Sequence, residues 1–266
     1  MKNKLLIIIL FLGILLNLSA GNEQVFSDVR SKGMGYTGIA FTSLDNPSGI
    51  SFSENGFAHI NYGNRFLVKE LAESTIELAY PNKVMDAGIT FSHFGYEHYN
   101  ENLLRLTFSR RLASAFSLGI HANYFFIHIS EVDEQPAALT ADVGIQWRPS
   151  SDLTFGVLFS NLLITESDQW YHLSRKINVG FAYFILSSFQ LSGEYEKPFN
   201  AVPYYKVGMA YQPIKDLFFR IGMYGKPFIP TFGVGYCLKN VQLDLATINH
   251  STLGLSPAIG ITYFFR

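Results

Sequence analysis

Alternation is the property that most restricts this chain. From Gly56 to the C-terminus, apolar side chains fall on every second residue of one segment after another. Residues 138–148 are the clearest case. Leu139, Ala141, Val143, Ile145 and Trp147 are apolar, while Thr140, Asp142, Gly144, Gln146 and Arg148 between them are small or polar. A period of two sends these sets to opposite faces of one extended strand. In a soluble sandwich the apolar face would pack on a second sheet. In a membrane barrel it would meet lipid, and the polar face would line the lumen.

The segments predicted as strands are 56–62, 73–80, 83–94, 101–110, 114–130, 138–148, 152–161, 173–185, 187–196, 203–212, 216–224, 230–238, 240–248 and 255–265. That makes fourteen, and bacterial single-chain barrels have an even number. Connections after the even segments are minimal, as at Pro81-Asn82, 148–152 and 212–216. Those after the odd segments are longer, as at 63–72, 131–137 and 162–172. Short turns at one end and longer loops at the other predict an outer-membrane barrel of a Gram-negative bacterium with both termini periplasmic. A sandwich or propeller has no reason to segregate its loops in this way.

Bulk properties support the barrel over a soluble β-protein. Apolar residues make up 48% of the chain and the mean hydropathy is +0.15. Yet beyond the N-terminus no run approaches the roughly 18 apolar residues a membrane helix needs. Charged residues are 15%, against about 25% in a typical soluble domain. The 24 Phe and 15 Tyr suit strands and interfacial girdles. A net charge of -1 argues against nucleic acid as a partner. Cys237 is the single cysteine, so no intramolecular disulfide can form. No metal-ligand spacing is present, and no cofactor is expected.

The N-terminus reads as a signal peptide over residues 1–20. Lys2 and Lys4 form a basic start, 5–16 an apolar core, and Ser19-Ala20 a small-residue cleavage site. Leu18 is less than ideal in the third position before cleavage. The rest divides into a segment without strand periodicity, 21–55, and the barrel, 56–266.

Charge parity follows the alternation. Arg105, Asp142, Lys176, Glu194, Lys206, Arg220 and Asp244 all fall opposite the apolar sets. A Lys or Arg facing lipid at mid-bilayer costs about 2–4 kcal/mol, so these seven are expected to line the lumen. There they would either set selectivity or form a static paired network. Glycines share the inward parity: Gly88, Gly119, Gly144, Gly156, Gly180 and Gly208, then Gly222, Gly233, Gly235 and Gly260. Glycine weakens a strand and marks a bend or the approach of another backbone. The plainer reading is that these residues let the barrel curve. The sharper is that residues 21–55 occupy the lumen as a plug.

The N-terminal segment carries a family resemblance. Gly33-Met-Gly-Tyr-Thr-Gly-Ile-Ala40, the acidic Asp45, and Ser53-Glu-Asn-Gly-Phe-Ala58 resemble the glycine-rich, acidic and Asn-Pro-Ala motifs of PorV/PorQ-type outer-membrane proteins. FadL-type transporters are similar more distantly. Ser53-Glu54-Asn55 stands where Asn-Pro-Ala is expected, and Asn46-Pro47-Ser48 reads as a coincidence. The resemblance implies a fourteen-stranded barrel with the N-terminal segment inside, and Gly33, Gly35, Gly38 and Asp45 as its plug residues. It also implies one of two functions. FadL-type members pass hydrophobic small molecules through the barrel wall past an N-terminal hatch. PorV/PorQ-type members bind cargo or partner proteins of type IX secretion. The degenerate last motif weighs against a hatch, and the short loops weigh against a large cargo surface.

Catalytic readings are set aside. His121, His128 with Ser130, and His172 with Ser174 are the only nucleophile-and-base candidates, and polar rims hold such residues anyway. Gly33-Met-Gly-Tyr-Thr-Gly38 has the spacing of a dinucleotide loop without the strand and βαβ unit it requires. Glu131, Asp133 and Glu134 read as a solvated loop. Trp170 and Tyr171, in an outer loop, fit either an interfacial girdle or a partner-binding spot. The sequence therefore predicts a non-enzymatic channel or transporter for small, hydrophobic molecules. Its expected partners are outer-membrane lipid and the barrel-assembly machinery, the latter reading the aromatic ending Tyr263-Phe-Phe-Arg266. The alternative is a non-conducting scaffold for secretion-system or cargo proteins.

Overall fold

The computed structural model describes residues 27–41, 43–166 and 173–265. The expected signal peptide 1–20, the loop residues Trp170, Tyr171 and His172, and the terminal Arg266 lie outside these. The described strands are β1 (Gly56–Asn64), β2 (Ala72–Tyr80), β3 (Asp86–Tyr96), β4 (Tyr99–Ala113), β5 (Phe116–Ile129), β6 (Ala137–Trp147) and β7 (Leu153–Glu166). They continue with β8 (Lys176–Leu186), β9 (Phe189–Pro198), β10 (Tyr204–Ile214), β11 (Leu217–Tyr224), β12 (Ile229–Leu238), β13 (Val241–His250) and β14 (Gly254–Phe265). Each pairs antiparallel with its neighbours in sequence, and β1 pairs with β14 from Gly56↔Phe265 to Gly63↔Ala258. The sheet thus closes on itself, which leaves no exposed edge to satisfy.

Closure sorts the side chains by parity. Ile60, Ile76, Phe91, Leu104, Ile120 and Val179 are exposed on the outer face, as are Val207, Ile221, Leu245 and Ile261 further along. Thr75, Thr107, Asn123, Asn178, Thr231 and Asp244 face inward and are buried. The apolar belt and polar interior are those of a transmembrane barrel. No helix among the described residues is long and apolar enough to cross a membrane.

Two sequence expectations about the connections fail. The links after β3 and β13 are tight, only Glu97-His98 and 251–253, although both follow odd strands. Strand β4 runs beyond the 101–110 read from the sequence, and β3 and β4 continue pairing as far as Tyr96↔Tyr99. There the ladder has risen past the apolar belt, where Asn, His and Glu no longer alternate with apolar residues. Strand β7 likewise passes its expected end at 161. It does so through a bulge at Asn161 (φ 57°), where the β6–β7 register jumps between Val143↔Phe159 and Ala141↔Leu163. Asp142 Oδ1 accepts the bulge N–H of Asn161 at 2.8 Å, which satisfies a donor the ladder has released.

Residues 27–41 and 43–53 run through the barrel interior. A single-turn helix, α1 (Val29–Gly33), starts at Asp28, whose carboxylate accepts the Arg30 N–H at 2.7 Å. A 3-10 turn over Pro47–Phe52 starts at Asn46, whose side chain accepts the Ser48 N–H at 3.1 Å, with proline in the first turn. The core lies between this segment and the wall. Val29 packs with Ala246 and Ala258, Met34 and Phe41 with Ala182, and Leu44 and Ile50 with Phe57 and Ala79. Small wall residues let the segment's larger side chains close-pack.

Candidate functional site

The interior holds two features, the segment's seat and a cavity beside it. The seat is built on wall glycines. At Gly222 an added Cβ would run into the backbone of Met34 and Gly35, and at Gly208 into Met34 O. At Gly119 it would meet Pro47, at Gly144 Asn46 and Pro47, at Gly156 Ile39, and at Gly233 the Cα of Gly33. The sharper reading of the inward glycines is therefore the structural one. They leave room for a second backbone.

Hydrogen bonds fix the seat's register. Thr231 Oγ1 accepts the Gly35 N–H at 2.8 Å, and Glu194 Oε2 accepts that of Gly38 at 3.2 Å. The Gln146 amide donates to Ile39 O at 2.9 Å and to Phe41 O at 2.7 Å. Asn46 is fully buried and donates to Ile39 O at 2.8 Å. Ser117 donates to Ser48 O at 3.0 Å, and Arg111 to Ser51 O at 2.6 Å. The guanidiniums of Arg111 and Arg148 lie 4.7 and 3.9 Å from the Phe52 ring centre, at the end of the barrel that carries both strand termini. Among the four N-terminal residues singled out in the sequence, Gly33 and Gly35 meet β11 and β12. Gly38 and Asp45 meet each other, and Asp45 Oδ2 accepts the Ser31 hydroxyl at 2.6 Å.

The seven charged residues assigned to the lumen point inward, two pairs of them bond each other, and the other three bond Glu196 or Asn123. Lys206 Nζ lies 2.7 Å from both Glu194 Oε1 and Glu196 Oε2, and Lys176 lies 3.1 Å from Glu196. Arg220 meets Asp244 at 2.5 Å. Arg105 donates to Asn123 at 2.7 Å, and Asn123 to Asp142 at 2.9 Å. Of the two roles open to these charges, the paired network is the one the geometry realises. His121 is buried against Thr107, whereas His128 is exposed. Ser130 bonds His98 at the rim, and Ser174 bonds Asn200.

The sequence reading passed over several residues. Glu73 ion-pairs with Lys32 of α1, and its other oxygen lies 3.1 Å from Arg65. Glu196 joins the β8–β10 network, and Asn46-Pro47-Ser48, taken as coincidence, is among the best-anchored parts of the segment. The signals were present: Glu73, Thr75 and Glu77 share one parity, and an Asn-Pro pair is a cap followed by a first-turn proline.

The second feature is a cavity of about 270 Å³ at the opposite, loop end, above α1. Tyr36, Phe66, Tyr204 and Tyr224 supply aromatic walls, with Tyr36 edge-on to Tyr224 at 4.7 Å. Lys32, Arg65, Glu73 and Lys206 supply charge. Two of the aromatics sit in the left-handed region, Tyr36 at φ 61° and Phe66 at φ 58°. Bulky residues adopt that conformation only when their surroundings over-determine it. Here the Phe66 N–H is held by Ser256 Oγ at 3.0 Å, and the Tyr36 N–H by Ser31 O at 2.8 Å.

No family model matches the sequence, and no curated protein resembles it in sequence. Solved structures do resemble it. The Pseudomonas putida toluene transporter TodX aligns with a TM-score of 0.64, covering 90% of this chain and 96% of its own at 10% identity. The monoaromatic hydrocarbon channel CymD aligns at 0.65, covering 89% and 97% at 12% identity. A Pseudomonas aeruginosa FadL homologue aligns at 0.65, covering 90% and 98% at 9% identity. At these identities the likeness is one of fold: the chain is built as FadL-type barrels are.

Proposed function

We propose that the protein is an outer-membrane channel for small hydrophobic molecules, closed at rest by residues 27–55. The observation that carries this reading is the filled lumen. A segment bonded to strands on several sides of the wall leaves no broad aqueous pore for ions or sugars. Above it remains a cavity with aromatic walls. A dry apolar cavity of roughly 150 Å³ holds a benzene, so 270 Å³ suits one substituted ring or a short aliphatic chain. TodX and CymD, which share the fold, are channels for such hydrocarbons.

On this reading the loop end faces the medium and both termini face the periplasm. Outer-membrane lipid meets the apolar belt, and the assembly machinery reads the aromatic Tyr263-Phe264-Phe265. The inward charges hold the closed state rather than select ions. A type IX scaffold, the other function implied by the resemblance, would depend on Trp170 and Tyr171.

Uptake decides it. Gram-negative cells carrying the full chain in their outer membrane should take up labelled toluene or benzoate several-fold faster than cells without it. Arabinose uptake should be unchanged. Uptake of both aromatics no faster than in cells without the protein, with the barrel verified at the surface, would overturn the proposal.

A further inference from the structure

The cavity's hydrogen-bonding inventory is lopsided, and that imbalance speaks to the class of molecule it takes. Glu73 is the only carboxylate among the lining residues, and both its oxygens are used, one by Lys32 and one by Arg65. The donors are not used up. A lysine ammonium offers three N–H groups and a guanidinium five. Arg65 spends one on Glu73 while its plane stacks on Phe94 at 4.6 Å. Lys206 spends two, on Glu194 and Glu196, which lie behind the lining. His250 Nδ1 accepts the Thr252 and Leu253 N–H groups at 3.3 and 3.1 Å, so its proton sits on Nε2 as a further donor. The Tyr36 and Tyr224 hydroxyls have no partner among the described residues. Asn64 Oδ1, an amide acceptor of the lining with no partner, is buried.

A plain hydrocarbon in this space would cover an ammonium, a guanidinium and two phenols without bonding them, and that desolvation is costly. A cationic ligand would find no free carboxylate in the lining, since Lys32 and Arg65 hold both oxygens of Glu73. We infer that the cavity binds a small aromatic acid, its ring against Tyr36, Tyr224 and Phe66 and its carboxylate toward Arg65 and the tyrosine hydroxyls. This rests on the channel reading and narrows its substrate from hydrophobic molecules in general to ring-bearing anions. Guanidinium and phenol donors are matched to a carboxylate, and the aromatic walls to the ring.

The test is isothermal titration of the full mature chain in detergent at pH 7.5, with empty micelles subtracted, using benzoate, toluene and benzylamine. Benzoate should bind about ten-fold or more tightly than the other two, the effect of one charge-assisted hydrogen bond. Arg65→Gln and, separately, Tyr36→Phe should each weaken benzoate by about five-fold or more and leave toluene unchanged, with heat-modifiable migration confirming the fold. Toluene binding as tightly as benzoate would overturn this inference and leave the channel reading standing. Benzoate binding indifferent to both substitutions would also overturn it, by placing the site elsewhere. Binding of none of the three would overturn both readings.

Discussion

Asn46→Ala is the sharpest probe of how the interior segment is held. Asn46 is fully buried, and its two side-chain atoms do separate work. Its oxygen caps the 3-10 turn through the Ser48 N–H at 3.1 Å and Oγ at 2.7 Å. Its nitrogen donates to Ile39 O at 2.8 Å and reaches the strand carbonyls Ile145 O and Val157 O at 3.3 and 3.4 Å. Loss of the cap costs about 1 kcal/mol. Loss of the buried donor costs about 1–1.5 kcal/mol. Ile39 O keeps its bond from Gln146, so it adds no further penalty. The sum, about 2–2.5 kcal/mol, raises local opening by about 30- to 70-fold. Hydrogen exchange read by mass spectrometry should show this increase at amides 41–53, while strands β10–β13 exchange as before. Adding Gln146→Ala strips Ile39 O of its last donor, so the double variant should lose about 1–3 kcal/mol beyond the two single losses. Acceleration below about three-fold, or equal acceleration in segment and barrel, would refute the idea of a separately anchored segment.

Three further predictions test other contacts. Gly222→Val drives a side chain into the backbone of Met34 and Gly35, an overpacking of about 1–3 kcal/mol. It should give leak currents in planar bilayers where the parent is silent, and silence in both would count against the wall glycines as a seat. Ile221→Arg, on the outer face of the same strand, should lower stability to urea in vesicles by about 2–4 kcal/mol, and an unchanged midpoint would remove Ile221 from the lipid belt. Asp45 is pushed up to about 6 by burial, the nearby Asp28 charge adding to the effect against the Ser31 hydrogen bond. The seated carboxyl thus keeps a proton that the released segment gives up from pH 4 upward. Its contribution is full below about pH 4 and is lost as pH rises through 6, by about 3 kcal/mol. Corrected exchange at 41–53 should accelerate from pH 4 to 7 in the parent, with that slope reduced in Asp45→Asn, and identical slopes would exclude Asp45 as its source.

What the sequence disclosed depended on whether a property repeats. Alternation returns in every strand, so the inward parity of Arg105, Asp142, Lys176, Glu194, Lys206, Arg220 and Asp244 could be read one strand at a time. Pairing between these residues could not, because Lys206 meets Glu194 and Glu196 only through the β9–β10 register. Strand ends failed where β3 and β4 climb past the lipid belt, since period-two hydropathy exists only where one face is apolar. The Asn161 bulge left no trace, because an asparagine at positive φ looks like any asparagine in a one-dimensional string. Asn46-Pro47-Ser48 was misjudged because a motif position was compared by order along the chain. Its meaning lies in capping a turn against β5 and β6.

The glycines decide how closely wall and segment fit. Each one weakens its strand, so a wall that needed them only for curvature could place them at any inward position. Instead Gly119, Gly144, Gly156, Gly208, Gly222 and Gly233 all stand opposite the backbone or proline of one continuous stretch, 33–48. Gly180 and Gly235 pack against the carboxylate-bearing side chains of Glu194 and Asp244. Residues 220–222 show the division within a single strand: Arg220 is paired with Asp244 inside, Ile221 is exposed on the outer face, and Gly222 lies against Gly35. Wall and segment are thus complementary at backbone resolution. A wall without this segment presents donors such as the Gln146 amide, the Ser117 hydroxyl and the Arg111 guanidinium, with glycine-lined grooves between them, rather than a smooth pore.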